Sequence, residues 1–246
     1  MNSSFSNIFT ITKRELAGFF TSPIAYVFII ILLMLSGFFT FMLGRFFEND
    51  EASLLSFFMW HPWLYLFLVP AVGMRLWSEE RRSGTIELLL TMPISVWQAI
   101  VGKFLASWLF LALALFLTFP MVITVNDLGD PDNGRILTGY FGSFLMAGAY
   151  LAVTSVTSAL TRNQVVSFII SVVVCLFMIM AGFYPVVSML QFFPVWLVDA
   201  VSSFSVMTHY DGFQKGLVDS RDLIYFLSVI GFSLFATAVV LRSKRS

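Results

Sequence analysis

The chain has 246 residues, of which 59% are hydrophobic and only 11% are charged, and its formal net charge is zero. A soluble globular protein carries about 25% charged residues, so this composition excludes an ordinary water-soluble domain. The 14 Lys and Arg balance the 14 Asp and Glu, which excludes a disordered or nucleic-acid-binding chain, and a single cysteine excludes a disulfide framework. The sequence therefore predicts an all-α, polytopic membrane protein with one domain, 1–246.

The first segment, residues 1–22, is amphipathic. Its apolar side chains recur at helical spacing and are Phe5, Ile8, Phe9, Leu16, Phe19 and Phe20. Lys13 and Arg14 fall mainly on the opposite side, which predicts a helix lying in the membrane interface. Two interpretations follow: a simple membrane-surface anchor, or an elbow helix that also supports a cytoplasmic partner.

Six apolar stretches follow along the chain. A spanning helix needs about 20 apolar residues because the hydrocarbon core is about 30 Å thick. The predicted spans are 23–43, 57–74, 104–125, 136–160, 165–187 and 223–241. The uncharged stretch around the fifth span continues to Val198 and is too long for one straight helix. We therefore expect breaks at Pro185 and Pro194, with 188–198 as a short re-entrant or interfacial segment.

The distribution of basic residues predicts the orientation. With the N-terminus inside, ten of the 14 bases lie in cytoplasmic parts, and four lie outside. The ten are Lys13, Arg14, Arg75, Arg81, Arg82, Lys103, Arg162, Arg242, Lys244 and Arg245. The first apolar run is longer than a signal-peptide core, which predicts an uncleaved span. We expect both termini in the cytoplasm.

The segment between predicted spans two and three combines charges with helix-ending residues. Its charges are concentrated at Glu79, Glu80, Arg81, Arg82 and Glu87. Gly84 predicts the end of a helix, because glycine adopts positive φ without a Cβ clash. Thr85 can cap a following short helix, with Glu87 well placed in its first turn, and Pro93 ends that helix. Ser95 and Gln98 have the form of a capping box at the start of the next helix.

This ordered arrangement favours residues 78–93 as an element that docks on a soluble protein. The alternative is a solvated loop whose charges only set the topology. The four-residue connection 161–164 predicts two antiparallel neighbouring helices, and Arg162 and Asn163 offer a second, smaller contact. Predicted span four is rich in Gly, Ala and Ser, which let membrane helices approach closely, either within the chain's own bundle or against a second subunit.

Several catalytic patterns do not occur in the sequence. It contains no G-x-x-x-x-G-K-[ST] and no H-E-x-x-H. Cys175 lies in an apolar run and is predicted to be a small buried hydrophobe, and His61 and His209 are predicted to be structural. The predicted span interiors contain no Asp, Glu, Lys or Arg, which argues against a proton-coupled carrier. We expect no cofactor or metal in the chain, and a source of free energy outside it.

Residues 79–95, EERRSGTIELLLTMPIS, resemble the cytoplasmic segment of type-2 ABC-exporter permeases, the transmembrane subunits of that family. The similarity is greatest to the gliding-motility (GldF-like) and copper-enzyme-maturation (NosY-like) branch. KRELAGFFTSPIAY at 13–26 and LTRNQ at 160–164 support it and occur in the expected order.

The resemblance implies a permease of a bacterial cytoplasmic (inner) membrane. It implies further that the permease works as a pair, as a homodimer or a related heterodimer. A separate P-loop ATPase, which binds ATP and Mg, would dock on the coupling segment 78–93 and drive alternating access. The implied ATPase interface consists of Glu79, Glu80, Arg81, Arg82, Gly84, Thr85, Glu87, Arg162 and Asn163. The expected activity is outward movement of a substrate, and the apolar spans suit a lipid-like or amphipathic one.

Two other functions stay open at this point. The first is an ATPase-coupled mechanotransmission or assembly protein without transported cargo, whose outer loop at Asp199–Asp222 contacts an extracytoplasmic partner. The second is a membrane enzyme, which the lack of a catalytic constellation disfavours.

Overall fold

A computed structural model describes residues 2–48, 52–85, 94–189 and 194–243, and this part of the chain is helical and contains no strand. The helices are α1 (Asn2–Phe20), α2 (Pro23–Phe38, continued by a π-helical turn, Phe39–Leu43), α3 (Leu55–Met59), α4 (His61–Gly73), α5 (Arg75–Ser83), α6 (Val96–Phe116), α7 (Pro120–Leu128), α8 (Asn133–Leu160), α9 (Gln164–Met180), α10 (Tyr184–Met189), α11 (Val195–Ser203), α12 (Val206–Gln214) and α13 (Ser220–Ser243).

Four of the described helical stretches are long and apolar enough to cross a membrane, as a polytopic membrane protein requires. They are Pro23–Leu43, Val96–Leu128, Asn133–Leu160 and Ser220–Ser243. α9 is apolar but has 17 residues, and α4 has 13. The apolar segments of the described chain thus include both helices long enough to span a membrane and shorter helices.

The central helix is α8, which packs on α4, α5, α6, α9, α12 and α13. Of its apolar stretch, 67% is buried, against 28–33% in the other three long stretches. Glycines allow this packing: a Cβ added at Gly139 or Gly142 would lie 2.6 Å from a phenylalanine side chain, Phe58 or Phe213. The small residues of predicted span four therefore face the chain's own bundle.

α1 packs lengthwise on α6. A Cβ at Gly102 would lie 2.7 Å from Ile11, and the Thr12 hydroxyl donates to the Gly102 carbonyl at 3.2 Å. Phe5 and Phe9 point away from the protein and are 74% and 70% exposed. α1 thus has one face fixed to the bundle and another that presents aromatic rings outward.

The helices differ from the predicted spans where proline interrupts the backbone hydrogen bonds. The third predicted span is divided at 117–119, just before Pro120 begins α7. The fifth ends at Met180, and the chain resumes as α10, whose second residue is Pro185. The second is divided at Trp60, just before Pro62. Proline has no backbone N–H to donate and is therefore accommodated in the first turn of a helix. A new helix accordingly begins at or next to the proline after each break.

The predicted helix start at Ser95 is confirmed. The Ser95 hydroxyl accepts from the Gln98 amide N–H at 3.2 Å, and the Gln98 side chain accepts from the Ser95 N–H at 2.9 Å. The short helix predicted after Thr85, which includes Glu87, lies outside the described residues. So does part of the predicted re-entrant segment 188–198, whose Pro194 precedes α11.

Candidate functional site

The predicted docking residues gather at one end of the bundle, where α5 lies against the C-terminal half of α8. We call this the α5 end. Trp77 is buried, with 1% of its surface exposed, and its indole N–H donates to the Ser155 hydroxyl at 3.0 Å. The amide N–H groups of Trp77 and Ser78 both donate to the Ser158 hydroxyl, each at 3.0 Å. Ser158 of α8 thereby satisfies two of the free backbone N–H groups in the first turn of α5, and Ser155 satisfies the Trp77 indole.

Arg81 links α5 to the last turn of α8. Its Nη1 donates to the Ala159 carbonyl, one of the carbonyls that a helix end leaves without an intrahelical partner. Burial and the neighbouring positive charge of Arg162 lower the pKa of Arg81. Asn163 caps α9, because its side-chain oxygen accepts from the Val165 N–H at 2.9 Å. The structure thus brings the two predicted contact segments together.

A buried lysine joins three helices at the same end. Lys103, on α6, has 7% of its side chain exposed, and its Nζ lies 2.6 Å from Oε1 of Glu80 on α5. The same Nζ lies 3.6 Å from Oε2 of Glu15 on α1, and it donates to the Leu76 carbonyl at 3.3 Å. This ion cluster fixes α1, α5 and α6 relative to one another.

Lys103 and Glu15 were not predicted as site residues. The predicted third span begins at 104, just after Lys103. In the structure α6 begins at Val96, so Lys103 lies about two turns inside the helix. The sequence does contain one indication of this role, namely that Lys103 is a single lysine at the edge of a long apolar stretch. Its acidic partners come from distant segments and could not be identified from spacing.

The outward face of α5 is exposed and ends at Gly84. Gly84 has φ of +72°, which confirms the predicted positive φ, and a Cβ there would meet no atom within 4 Å. Six predicted interface residues are exposed at this end: Glu79, Arg82, Gly84, Thr85, Arg162 and Asn163. Glu80 and Arg81 point inward to Lys103 and Ala159 instead. The site therefore has an exposed rim and two charged residues that hold it in place.

The opposite end of α8 holds α12, and we call it the α12 end. The Tyr210 hydroxyl lies 2.6 Å from the Ser143 hydroxyl, and the Thr138 hydroxyl donates to the Phe213 carbonyl at 2.9 Å. His209 pairs with Asp222 of α13 at 2.7 Å. Within the described ranges, no group of three or more His, Cys, Asp or Glu side chains is placed to hold a metal ion.

Comparison with known proteins places this helical architecture in a family. A family model described as ABC-2 family transporter protein matches residues 67–241, which include α5, α8 and most of α13. The probable ABC transporter permease protein NosY of Pseudomonas aeruginosa is 36% identical over 87 residues. That match covers 33% of this chain and 32% of the NosY protein, about a third of each. With more than half of its length matched by the family model, the chain is an integral membrane protein of the ABC-2 transporter family.

Proposed function

We propose that this chain is the transmembrane permease subunit of an ATP-binding-cassette transporter. It moves a substrate outward by alternating access, and a separate ATPase subunit supplies the free energy by binding and hydrolysing ATP with Mg. A lipid-like or amphipathic substrate suits its apolar helices. The observation that carries the proposal is the exposed, charged end of α5, which is bonded to the central helix α8 at three points.

In this proposal the ATPase binds the rim of the α5 end. Glu79, Arg82, Gly84 and Thr85 contact it directly, together with Glu87 and the smaller surface at Arg162 and Asn163. Glu80 and Arg81 orient the rim, since their side chains are engaged inside the chain. A force applied at Gly84 then reaches α8 through Trp77 and Ser158.

The proposed topology has six spans and both termini in the cytoplasm, with the α5 end inside. The short helices α4 and α9 are the second and fifth spans in this arrangement. Single cysteines test it: the variant Arg82→Cys should label only from the cytoplasmic side, and bound ATPase should protect it. Labelling of Arg82→Cys from outside intact cells would contradict the proposed topology.

A second permease subunit is expected to cover part of the exposed apolar surface. α2 and α9 each present a row of outward apolar side chains, and these include Ile30, Met34, Val165, Ile169 and Phe177. Lipid covers such a surface as well as a partner does, but the proposed mechanism needs two halves that move against each other. We therefore expect a homodimer or a related heterodimer.

The sharpest test compares two replacements at Gly84. The variant Gly84→Val should strain the left-handed turn, because a β-branched residue at positive φ is unfavourable, and misdirect the chain that follows. The variant Gly84→Asn adds a side chain into the same open space but tolerates this conformation. The strain at valine is ~1–2 kcal/mol, so we expect Gly84→Val to reduce the recovery of the ATPase by pull-down about tenfold. Gly84→Asn should reduce this recovery less than about threefold, because asparagine tolerates the conformation.

Equal recovery of the ATPase by both Gly84 variants and the wild type would contradict this interface. Protein levels in the membrane serve as the control, since neither change touches a span. Purified chain alone should show no ATP hydrolysis, because its sequence contains no phosphate-binding loop pattern.

A second candidate function is mechanotransmission without cargo. It is favoured by the bonds at both ends of α8, which link the α5 end to the α12 end through one helix. The region Asp199–Asp222 would then contact an extracytoplasmic partner. Trapping a substrate in the purified complex with its ATPase favours transport; a partner that binds this region and alters ATP hydrolysis without any bound substrate favours transmission.

A further inference from the structure

A cavity of about 510 Å³ lies among α1, α2, α4, α5 and α6. Its volume is in the range of about 300–1,000 Å³ that holds a small-molecule ligand. The α2 residues that line it run from Ser22 to Ile31, which corresponds to a length of about 13 Å along the helix. The cavity thus extends from the α5 end toward the middle of the bundle.

The two ends of this cavity differ in polarity. At the α5 end it is lined by Glu15, Arg75, Glu79, Glu80 and Lys103. Further in, the lining is apolar and includes Phe28, Ile31, Leu68, Val72 and Phe110. A ligand that matches both ends has a charged head and an apolar tail.

The apolar part of the cavity is continuous with exposed apolar surface on α2. Ile24, Val27 and Ile31 of α2 line the cavity and are 51%, 52% and 40% exposed. A lipid tail can therefore follow α2 out of the cavity without leaving apolar surroundings. A water-soluble ligand gains nothing from this opening.

The charges at the polar end are only partly neutralised within the protein. Lys103 is paired with Glu80 and Glu15. In the described part of the chain, Arg75 forms no ion pair, and its buried Nε has no hydrogen-bond partner. Glu79 forms no ion pair there either, and the buried Oε2 of Glu80 has no hydrogen-bond partner. One cation and two carboxylate groups thus line the cavity with unused charge or hydrogen-bonding capacity.

We propose that this cavity binds a phospholipid with a phosphoethanolamine headgroup. The phosphate is held by the Arg75 guanidinium, which suits phosphate oxygens in charge and geometry. The primary ammonium donates to Glu79 and to the free oxygen of Glu80. A choline headgroup has no N–H for these acceptors, and a glycerol headgroup brings no positive charge to Glu79.

Headgroup competition tests the proposal on the wild-type, full-length protein. The protein is purified with equal amounts of dioleoyl phosphatidylethanolamine, phosphatidylcholine and phosphatidylglycerol, and the retained lipid is measured by native mass spectrometry. We expect phosphatidylethanolamine to be retained about tenfold over either competitor, the ratio that one charge-assisted hydrogen bond supplies. Equal retention of the three, or preference for phosphatidylglycerol, overturns the assignment.

Filling the cavity provides the second test. A Cβ at Gly18, which lines the cavity, meets no atom within 4 Å, so Gly18→Leu occupies the polar mouth without a clash at its first atom. Gly231 on α13 also has open space around its Cβ and does not line the cavity, so Gly231→Leu is the matched control. We expect Gly18→Leu to lower phosphatidylethanolamine retention at least fivefold, on the order of 1 kcal/mol, and Gly231→Leu to leave it unchanged.

Charge removal completes the experiment. Arg75→Gln should reduce retention of all three lipids about tenfold, because each carries the phosphate. Glu79→Gln should reduce phosphatidylethanolamine retention about tenfold and abolish the preference for ethanolamine. Arg82→Gln removes an exposed charge from the same helix outside the cavity and should leave the retention of all three lipids unchanged. If Gly18→Leu, Arg75→Gln and Glu79→Gln all retain lipid as the wild type does, the cavity is not a lipid site. These binding measurements need no ATPase, so their result is independent of the proposed transport function.

Discussion

The two ends of α8 hold their neighbouring short helices by different chemistry. At the α12 end, the bonds from α8 to α12 join neutral groups, such as the hydroxyls of Ser143 and Tyr210. At the α5 end, charged contacts occur in addition to the serine hydroxyl bonds. The Arg81 guanidinium donates to the Ala159 carbonyl, and Lys103 forms ion pairs with Glu15 and Glu80. Both ends present charges outward, but Asp211 and Lys215 of α12 pair with each other, whereas Glu79 and Arg82 of α5 form no ion pair in the described part of the chain.

This difference separates a structural end from one that is suited to a partner. Buried charge costs free energy unless it is paired, so a charged layer inside a membrane protein needs close internal partners. The α5 end provides them for Glu80, Arg81 and Lys103 while leaving Glu79 and Arg82 exposed. Three variants test how far this contrast extends.

The largest effect is expected at Trp77. Trp77→Ala removes the buried indole that fixes α5 to α8 and should lower the free energy of unfolding by about 3–5 kcal/mol. The measurement is thermal unfolding of the detergent-solubilised protein. Trp77→Phe keeps a buried six-membered ring but loses the bond to Ser155 and part of the packing, so it should cost less, about 1–3 kcal/mol. Equal losses in the two variants would show that the hydrogen bond, rather than packing, holds α5.

A smaller loss is expected at Lys103. Lys103→Met leaves the carboxylates of Glu80 and Glu15 near each other without a cation. Breaking a fully buried ion pair lowers the free energy of unfolding by about 3–5 kcal/mol, and we expect a smaller loss here because both acids are partly exposed. The double variant Lys103→Met/Glu80→Gln should regain much of that loss. Lys215→Met breaks an exposed pair with Asp211 at the α12 end and should have little effect. A greater loss from Lys215→Met would reverse the comparison.

The smallest effect is expected at the α12 end. Tyr210→Phe removes the hydroxyl bonded to Ser143 while keeping the buried ring, and it should cost about 0.5–1.5 kcal/mol in unfolding free energy. Tyr184→Phe is the control, since Tyr184 is 80% exposed. If Tyr210→Phe destabilises as much as Trp77→Ala, the neutral end is held as firmly as the charged one.

The helical class, the family and several local features were accessible from the sequence. Gly84 in a left-handed turn and the Ser95–Gln98 capping box follow from local residue chemistry, and both are confirmed. Such features depend on a few consecutive residues, and no distant contact is needed to specify them.

The internal roles of the charged residues were not accessible. Glu79 to Arg82 read as one charged run, but a helix turns each successive side chain by about 100°. Glu80 and Arg81 therefore face the bundle, whereas Arg82 faces outward and Glu79 lies exposed at the mouth of the cavity. Which face is buried depends on α1, α6 and α8, and these come together only in the folded chain.

The burial of Cys175 on α9 has a practical consequence. Because the chain's one native thiol is enclosed, introduced cysteines can carry spin labels on a nearly silent background. A label pair at Arg82 and at an exposed residue of α12, such as Asp211, would report the distance between the two ends of α8 in each nucleotide state. Pulsed electron paramagnetic resonance on such pairs would distinguish rotation of α8 as one body from bending along its length.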